Sequence, residues 1–266
     1  MKNTACSRSE YLETRKRKNN RIRLTQLSVT GFILALWEVS ARLGIVDSFI
    51  VSSPLRMIKM FFTMMKSGLM IHILYTVTET VTGFVVGVIM GLITAVGLWY
   101  SDFAHKVFAP YLVVLNSLPK IALGPVIIVW AGAGAKAIIT MAVAISLIVT
   151  VMELSQGFYS TDTNLLITVK SFGASKWDSF MKIVLPYNIP VLFQSLKVNI
   201  GLSLVGVIAG EFLVSKAGLG YLIVYAGQVF KMDLVMMSVV LLGLIAFMMY
   251  SAVSSIEKVV IKHLNH

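Results

Sequence analysis

Residues 80 to 101 contain no Asp, Glu, Lys or Arg, and neither do residues 234 to 256. A helix needs about 20 apolar residues to cross the hydrocarbon core of a bilayer, so each run is long enough to span one. Four further runs approach that length. Residues 24 to 41 are broken only by Glu38, 107 to 135 only by Lys120 and 187 to 210 only by Lys197, while 137 to 152 are uncharged up to Glu153. A β-barrel strand would be about ten residues long and alternate in polarity; these runs are too long and apolar on every face. Helices also satisfy their own backbone groups, which lipid cannot do. The expected fold is therefore all-α, a polytopic membrane protein with six transmembrane helices. The composition agrees. Hydrophobic residues make up 57% and charged residues 13%, against about 25% charged in soluble domains, which excludes a disordered chain. A single cysteine, Cys6, excludes a disulfide scaffold.

The net charge of +11 is a topology signal before it is a ligand signal. Eight basic residues lie in the first 23 positions. With that end inside, the inner side also holds Lys106, Lys170, Lys176, Lys182, Lys258 and Lys262. The outer side holds Arg56, Lys59, Lys66, Lys136, Lys216 and Lys231. The bias predicts N-in, C-in. Residues 1–23 then form a basic cytoplasmic tail that can touch anionic headgroups, 24–260 a transmembrane domain and 261–266 a cytoplasmic C-terminus. The first span is expected to be retained rather than cleaved, because no small-residue cleavage pattern follows it. Nucleic acid is not an expected partner, since no soluble domain is there to carry it.

The fourth and fifth spans are joined by a cytoplasmic loop, about 160–186, the longest on that side. Long loops in compact proteins are usually functional. Thr161 or Thr163 can cap a short helix carrying Leu165, Leu166, Val169 and Phe172 at helical spacing. Gly173 ends it. Ser175 can cap a second helix carrying Trp177, Phe180, Met181 and Val184, and Pro186 stops it or opens the next span. Such an element lies in the lipid interface or fills a groove of a soluble protein.

Gly173 is followed, after nine residues, by Ile183-Val184-Leu185-Pro186. This spacing resembles the cytoplasmic loop of the permease subunits of binding-protein-dependent ABC importers: Glu-Ala-Ala, three residues, Gly, nine residues, Ile-x-Leu-Pro. The chain departs from that pattern at Ile167, Thr168 and Val169, which stand where Glu-Ala-Ala would be. The likeness extends over residues 25 to 260. It includes Val51-Ser-Ser-Pro54, His72 through Gly83-Phe84, Pro119 to Gly132, Glu211-Phe-Leu and Gly218-Leu-Gly-Tyr-Leu222. It is nearest to the nitrate, sulfonate and taurine branch, which also serves pyrimidine, thiamine-precursor and riboflavin uptake.

The resemblance implies a type I importer permease in the plasma or inner membrane. Its expected partners are a second permease, either another copy as a homodimer or a similar permease, two cytoplasmic ATPase subunits and an extracytoplasmic binding protein. No cofactor is expected on this subunit, with ATP and Mg on the ATPase. Gly173, Ala174, Ser175, Lys176, Trp177, Phe180, Ile183, Leu185 and Pro186 would then form the ATPase-coupling element. Trp177 and Phe180 would be its aromatic anchors in the ATPase groove, although Trp177 also suits a membrane-interface belt. The chain itself is not expected to be an enzyme, because no Gly-x-x-x-x-Gly-Lys-Ser/Thr loop occurs. Gly132-Ala-Gly134-Ala-Lys136 lacks that spacing. The four histidines are dispersed, so no metal site is expected.

Ionisable groups inside a membrane are functional candidates. Asn116, Ser117 and Lys120 adjoin Pro119 in a broken third span and are candidates for the translocation path or the dimer seam. Lys120 suits an anionic substrate or a structural pair. Glu211 pairs with Lys216 or holds an outer gate. Lys197 can snorkel to the inner headgroups. Glu38 and Glu79 read as packed or interfacial. Gly83, Gly87 and Gly91 make a small-residue ridge for close helix packing. An ion-coupled secondary transporter is the alternative, but it would show more spans and inverted repeats. A non-transporting scaffold and a channel are further readings, and no filter motif supports the last.

Overall fold

The computed structural model describes residues 8–45, 47 and 51–264. Cys6 and the extreme termini lie outside the described residues. Among the described residues there is no strand. Helix α1 (Arg8–Arg42) runs through the basic stretch and the first apolar run as one element, crossing residue 23 without a break. Arg and Lys are good helix formers, so the charges do not interrupt it.

Helix α2 (Pro54–Lys66) was not expected. It begins with Pro54 in its first turn, and buries Met57 against partly buried Met60, Phe61 and Met64. This is a helical repeat on one face, too interrupted by Arg56, Lys59 and Lys66 to register as a span. Glu38 holds its start: Oε2 accepts the Leu55 N–H at 3.1 Å and Oε1 accepts Arg42 Nε at 2.8 Å. Ser52, at φ 60, donates to Asp233 Oδ1 at 2.6 Å, tying this segment to the last helix.

The second span is longer than its uncharged core. Helix α3 (Leu69–Tyr100) starts well before residue 80, because Glu79 lies inside it and is buried. The third span is two helices, not one. Helix α4 (Asp102–Ser117), a 3-10 turn (Lys120–Leu123) and helix α5 (Gly124–Ala131) are bent by 87°. Pro119 breaks the run, as it must without an N–H and with the preceding residue forced extended. Helices α6 (Ala135–Tyr159), α10 (Ile189–Val214) and α12 (Met232–Leu264) complete the set. Among the described residues, five helices are long and apolar enough to cross a membrane, or six counting the bent pair. Between α10 and α12, helix α11 (Leu219–Gln228) packs back into the bundle through Leu219, Leu222 and Ala226.

Helix α6 is the centre. On one face it meets α3 through the glycine ridge. A Cβ at Gly83 would lie 2.6 Å from Ala142 Cβ and one at Gly91 2.5 Å from Thr150 Cγ2, while one at Gly87 would collide with the Ser146 hydroxyl. The ridge thus packs within the subunit. On the other face α6 meets α10. A Cβ at Gly206 would lie 2.5 Å from Ala142 Cα, and one at Gly210 3.0 Å from Ile138 Cα. Here the obstacle is backbone, which cannot turn aside. Replacing Gly206 by Leu should cost at least the ~1–3 kcal/mol of overpacking. It should lower the thermal midpoint of the protein in detergent. Gly97→Leu, where a Cβ meets nothing within 4 Å, should not. Equal midpoints for the two variants would contradict this account of the bundle.

Candidate functional site

The segment between α6 and α10 forms two short helices bent at glycine. Helix α7 (Thr163–Ser171) is capped by Asp162, whose carboxylate accepts the Asn164 N–H at 2.8 Å. Neither threonine proposed as a cap does this. Thr161 is buried and accepts Asn188 Nδ2 at 2.8 Å instead. Gly173 ends the helix at φ 81. Ser175 caps helix α8 (Lys176–Ser179): Asp178 N–H donates to Ser175 Oγ at 3.0 Å, and Asp178 faces back to the Ser175 N–H. The Ser175 hydroxyl, then Lys182, hold the Asp178 carboxyl below the usual carboxylate range. The capping charge is therefore present at neutral pH and is lost only as pH falls through that lowered value. A π-helical turn (Phe180–Val184) and helix α9 (Leu185–Tyr187) lead into α10, with Pro186 in the first turn of α9.

The two aromatic residues expected to act together are separated. Trp177 is 54% exposed, but Phe180 is 3% exposed. Its ring lies 5.1 Å from Trp99, 5.3 Å from Phe158 and 5.9 Å from Trp177. Phe180 is thus a root in this subunit's own core and cannot be an anchor in a partner's groove. The periodicity that placed both on one stripe did not foresee that the π-turn and the ends of α3 and α6 would enclose one of them. The exposed apolar crown is Trp177 with Ile167, Met181 and Phe172, the last 86% exposed. Ala174, Ile183 and Leu185 are half-buried. Lys176 points back at the bundle. Its Nζ lies 5.6 Å from the centroids of both Trp99 and Tyr100 and 3.8 Å from Asp102 Oδ1. Tyr159 closes the same corner, donating to the Leu98 carbonyl at 3.1 Å and stacking on His105.

At the broken span, Lys120 Nζ donates to Asn116 Oδ1 at 2.9 Å and to the Asn116 carbonyl at 3.1 Å, and Ser117 donates to the Val113 carbonyl. Lys120 and Asn116 come together, while Ser117 bonds only within its own helix, and Lys120 caps the C-terminus of α4. Lys197 does not reach for headgroups alone: its Nζ pairs with Glu257 Oε2 at 2.5 Å and lies 5.8 Å from the Tyr250 ring.

The opposite end of the bundle is organised by Glu211, which is buried and has no ion pair with Lys216. Oε1 accepts the Thr76 hydroxyl at 2.6 Å and Oε2 the Gly220 N–H at 2.5 Å. The Tyr221 N–H adds a third donor. Thr76 Oγ1 in turn accepts the Leu219 N–H at 2.8 Å, and His72 Nδ1 accepts that of Gly218 at 3.1 Å. The turn before α11 is thereby threaded onto α3 and α10. This explains Gly218-Leu-Gly220. Gly218 has φ 112, a Cβ there would collide with the Glu211 carboxyl, and one at Gly220 would lie 2.7 Å from Oε2. Glu79 sits within hydrogen-bonding reach of Glu211. Of the two readings of Glu79, packed or interfacial, the structure selects packed; its contact with Glu211 was signalled only by its place four residues before the glycine ridge. Among the described residues no group of three or more His, Cys, Asp or Glu could hold a metal ion.

Two expected outcomes follow from these contacts. Phe180→Ala should destabilise the protein by ~3–5 kcal/mol, the usual cost of emptying an aromatic core site, while Trp177→Ala leaves its thermal midpoint near that of wild type. Glu211→Ala should leave at least two buried donors unpaired at ~1–3 kcal/mol each. It should expose the 215–221 turn to proteolysis, and resistance equal to wild type would refute the threading role.

Comparison with known proteins places this architecture. Residues 83–266 match the family described as the binding-protein-dependent transport system inner membrane component. A probable ABC transporter permease protein of Haemophilus influenzae is 29% identical over 86% of this chain and 94% of its own length. The riboflavin transport system permease protein RibX of Chloroflexus aurantiacus is 27% identical over 86% of each chain. The inward-facing MetNI methionine ABC transporter superposes with a TM-score of 0.67 at 18% identity, over 74% of this chain and 97% of that one. That likeness shows the fold. With the six candidate spans, the helix–Gly173–helix segment and the family match in agreement, the chain belongs to the family of inner-membrane permease components of binding-protein-dependent ABC importers.

Proposed function

We propose that this subunit forms the translocation path of an ATP-driven importer, taking a small solute from an extracytoplasmic binding protein. It would work as a homodimer on which two separate ATPase subunits dock. The observation that carries the reading is the crown of Phe172 and Trp177 on a segment rooted by Phe180. Exposed aromatic residues on a rigid base are what an interface hot spot requires. The root is what turns docking into motion. A push on α8 reaches the ends of α3 and α6 through Trp99 and Phe158 rather than being lost in a loose loop.

The segment lacks the Glu-Ala-Ala of related permeases at Ile167–Val169. Docking here therefore rests on apolar contact more than on a glutamate. The substrate belongs to the small anionic or heterocyclic solutes carried by this branch: sulfonate, nitrate or taurine types, thiamine or pyrimidine precursors, or riboflavin. The path is assigned to the faces of α4, α5 and α10 around Asn116, Ser117 and Lys120. ATP and Mg belong to the partner ATPase.

The test is co-expression with the cognate ATPase. Trp177→Asp and Phe172→Asp should each abolish co-purification of the ATPase and ATP-driven uptake while leaving the permease folded. Trp177→Ala should lower substrate-stimulated ATP hydrolysis by at least about tenfold, as expected for loss of a central aromatic anchor worth ~2 kcal/mol. Full stimulation in that variant would remove Trp177 from the coupling role. Uptake driven by an ion gradient without ATP would replace the importer reading by a secondary transporter.

A further inference from the structure

Helix α2 carries three strips around its axis. Met57, Met60, Phe61 and Met64 pack on the bundle. Beside them Leu55, Ile58, Phe62 and Met65 make a second apolar strip, and all four are exposed. Beyond it lie Lys59, Thr63 and Lys66, exposed as well, together with Arg56. The helix contains no Asp or Glu. Packing on the bundle requires only the first strip. An exposed apolar strip flanked along its length by a basic one is the pattern of a helix lying in the membrane surface. Its apolar side then meets acyl chains and its basic side the head groups.

The place of the helix agrees with its pattern. Glu38, near the end of α1, accepts the Leu55 N–H, and Ser52 reaches Asp233 in the first turn of α12. Helix α2 therefore starts where one span ends and another begins. Trp37 lies beside it, a residue type enriched at head-group level. A groove of about 430 Å³ opens next to α2, between α1 and α12. Leu34, Trp37, Ile58, Phe61, Val240 and Leu244 line it, and no charged residue does. From Met237 to Leu244 it follows α12 away from α2 for about 10 Å. The neighbouring charges are mostly engaged. Glu38 holds Arg42, Asp233 holds Ser52, and Arg56 has interactions of its own. Lys59 and Lys66 form no ion pair among the described residues. An acidic protein surface would meet the lysines but leave the groove empty. A phospholipid brings an anion and an apolar chain in one molecule, and Ile58 at the groove adjoins Lys59 on the basic strip.

We propose that α2 and this groove form a binding site for an anionic phospholipid. One acyl chain lies in the groove between α1 and α12, and the anionic head group rests on Lys59 and Lys66. The site goes beyond the importer reading and does not depend on it.

The experiment is photo-crosslinking with two lipids that differ only in head group. The purified permease, with the subunits that co-purify, is placed in phosphatidylcholine nanodiscs. A trace of phosphatidylglycerol or of phosphatidylcholine, each with a diazirine midway along one acyl chain, is included. Adducts are mapped by peptide mass spectrometry after illumination. A lysine beside an anionic head group is worth about a fivefold preference. With two lysines, the phosphatidylglycerol probe should label the peptides of Leu34, Ile58 and Val240 at least about tenfold more than its partner. Lys59→Gln combined with Lys66→Gln should bring the two probes to parity there and leave labelling near the basic N-terminal stretch unchanged. Lys59→Arg combined with Lys66→Arg should keep the preference, which separates charge from fold. Equal labelling by both probes in the wild type overturns the proposal and leaves bulk lipid in the groove. A preference that survives the glutamine pair overturns it too. Absence of lipid labelling, with the α2 peptide protected by the extracytoplasmic binding protein instead, assigns the basic strip to a protein and overturns it equally. ATP-driven uptake by the same preparation reports on the importer reading independently, so either idea can fail without the other.

Discussion

The close approach of α6 to both α3 and α10 is the contact on which the rest of the molecule depends. In lipid, apolar side chains gain little by leaving the solvent for one another, so helix association relies on dispersion at short range. The chain meets that demand by removing side chains. Gly83, Gly87 and Gly91 admit α6 on one side, and Gly206 and Gly210 admit its backbone on the other. The resulting three-helix slab sets where each helix end falls. The end of α6 delivers Phe158 and the end of α3 delivers Trp99, between which Phe180 is seated. At the far end the same slab brings Thr76 of α3 to Glu211 of α10.

The two ends are built with different chemistry. One closes with aromatic rings and leaves Phe172 and Trp177 outward, a surface suited to a protein partner. The other closes with a carboxylate that gathers backbone N–H groups from the turn before α11. A loop within reach of a membrane cannot leave such groups unpaired. A single buried glutamate serves several of them at once, and this is why glycines must flank it.

Much of the fold was legible in the sequence because membrane spans are written in uncharged length. What misled was the assumption that charges mark helix ends. Glu79, Glu257 and Lys197 all lie within helices, paired or buried by tertiary neighbours, so α3 and α12 outrun their uncharged cores. Helix α2 went unread because its charges interrupt a repeat visible at Met57, Met60, Phe61 and Met64. Pro119 announced a break but not its 87° angle, which packing sets. In the 160–186 segment, Gly173 and Ser175 act as their types dictate. Asp162 displaced the threonines as cap because Thr161 was needed by buried Asn188. The fates of Trp177 and Phe180 diverge through contacts seventy or more residues away, at Trp99, which local periodicity does not encode.

Six prolines occur in the chain, and three of them, Pro110, Pro119 and Pro125, fall in the α4–α5 stretch. Helices α3, α6 and α12 contain none. At 1.5 Å per residue, α3 is a rod roughly 48 Å long, locked against α6 at every turn of its glycine ridge. Compliance is therefore unevenly distributed. The slab can tilt but not flex, and the bent pair, with an intrahelical hydrogen bond missing at Pro110, a break at Pro119 and few buried neighbours, is the softest element in the bundle. Work done on the slab relaxes there first, as strain in a hinged plate collects at its hinge.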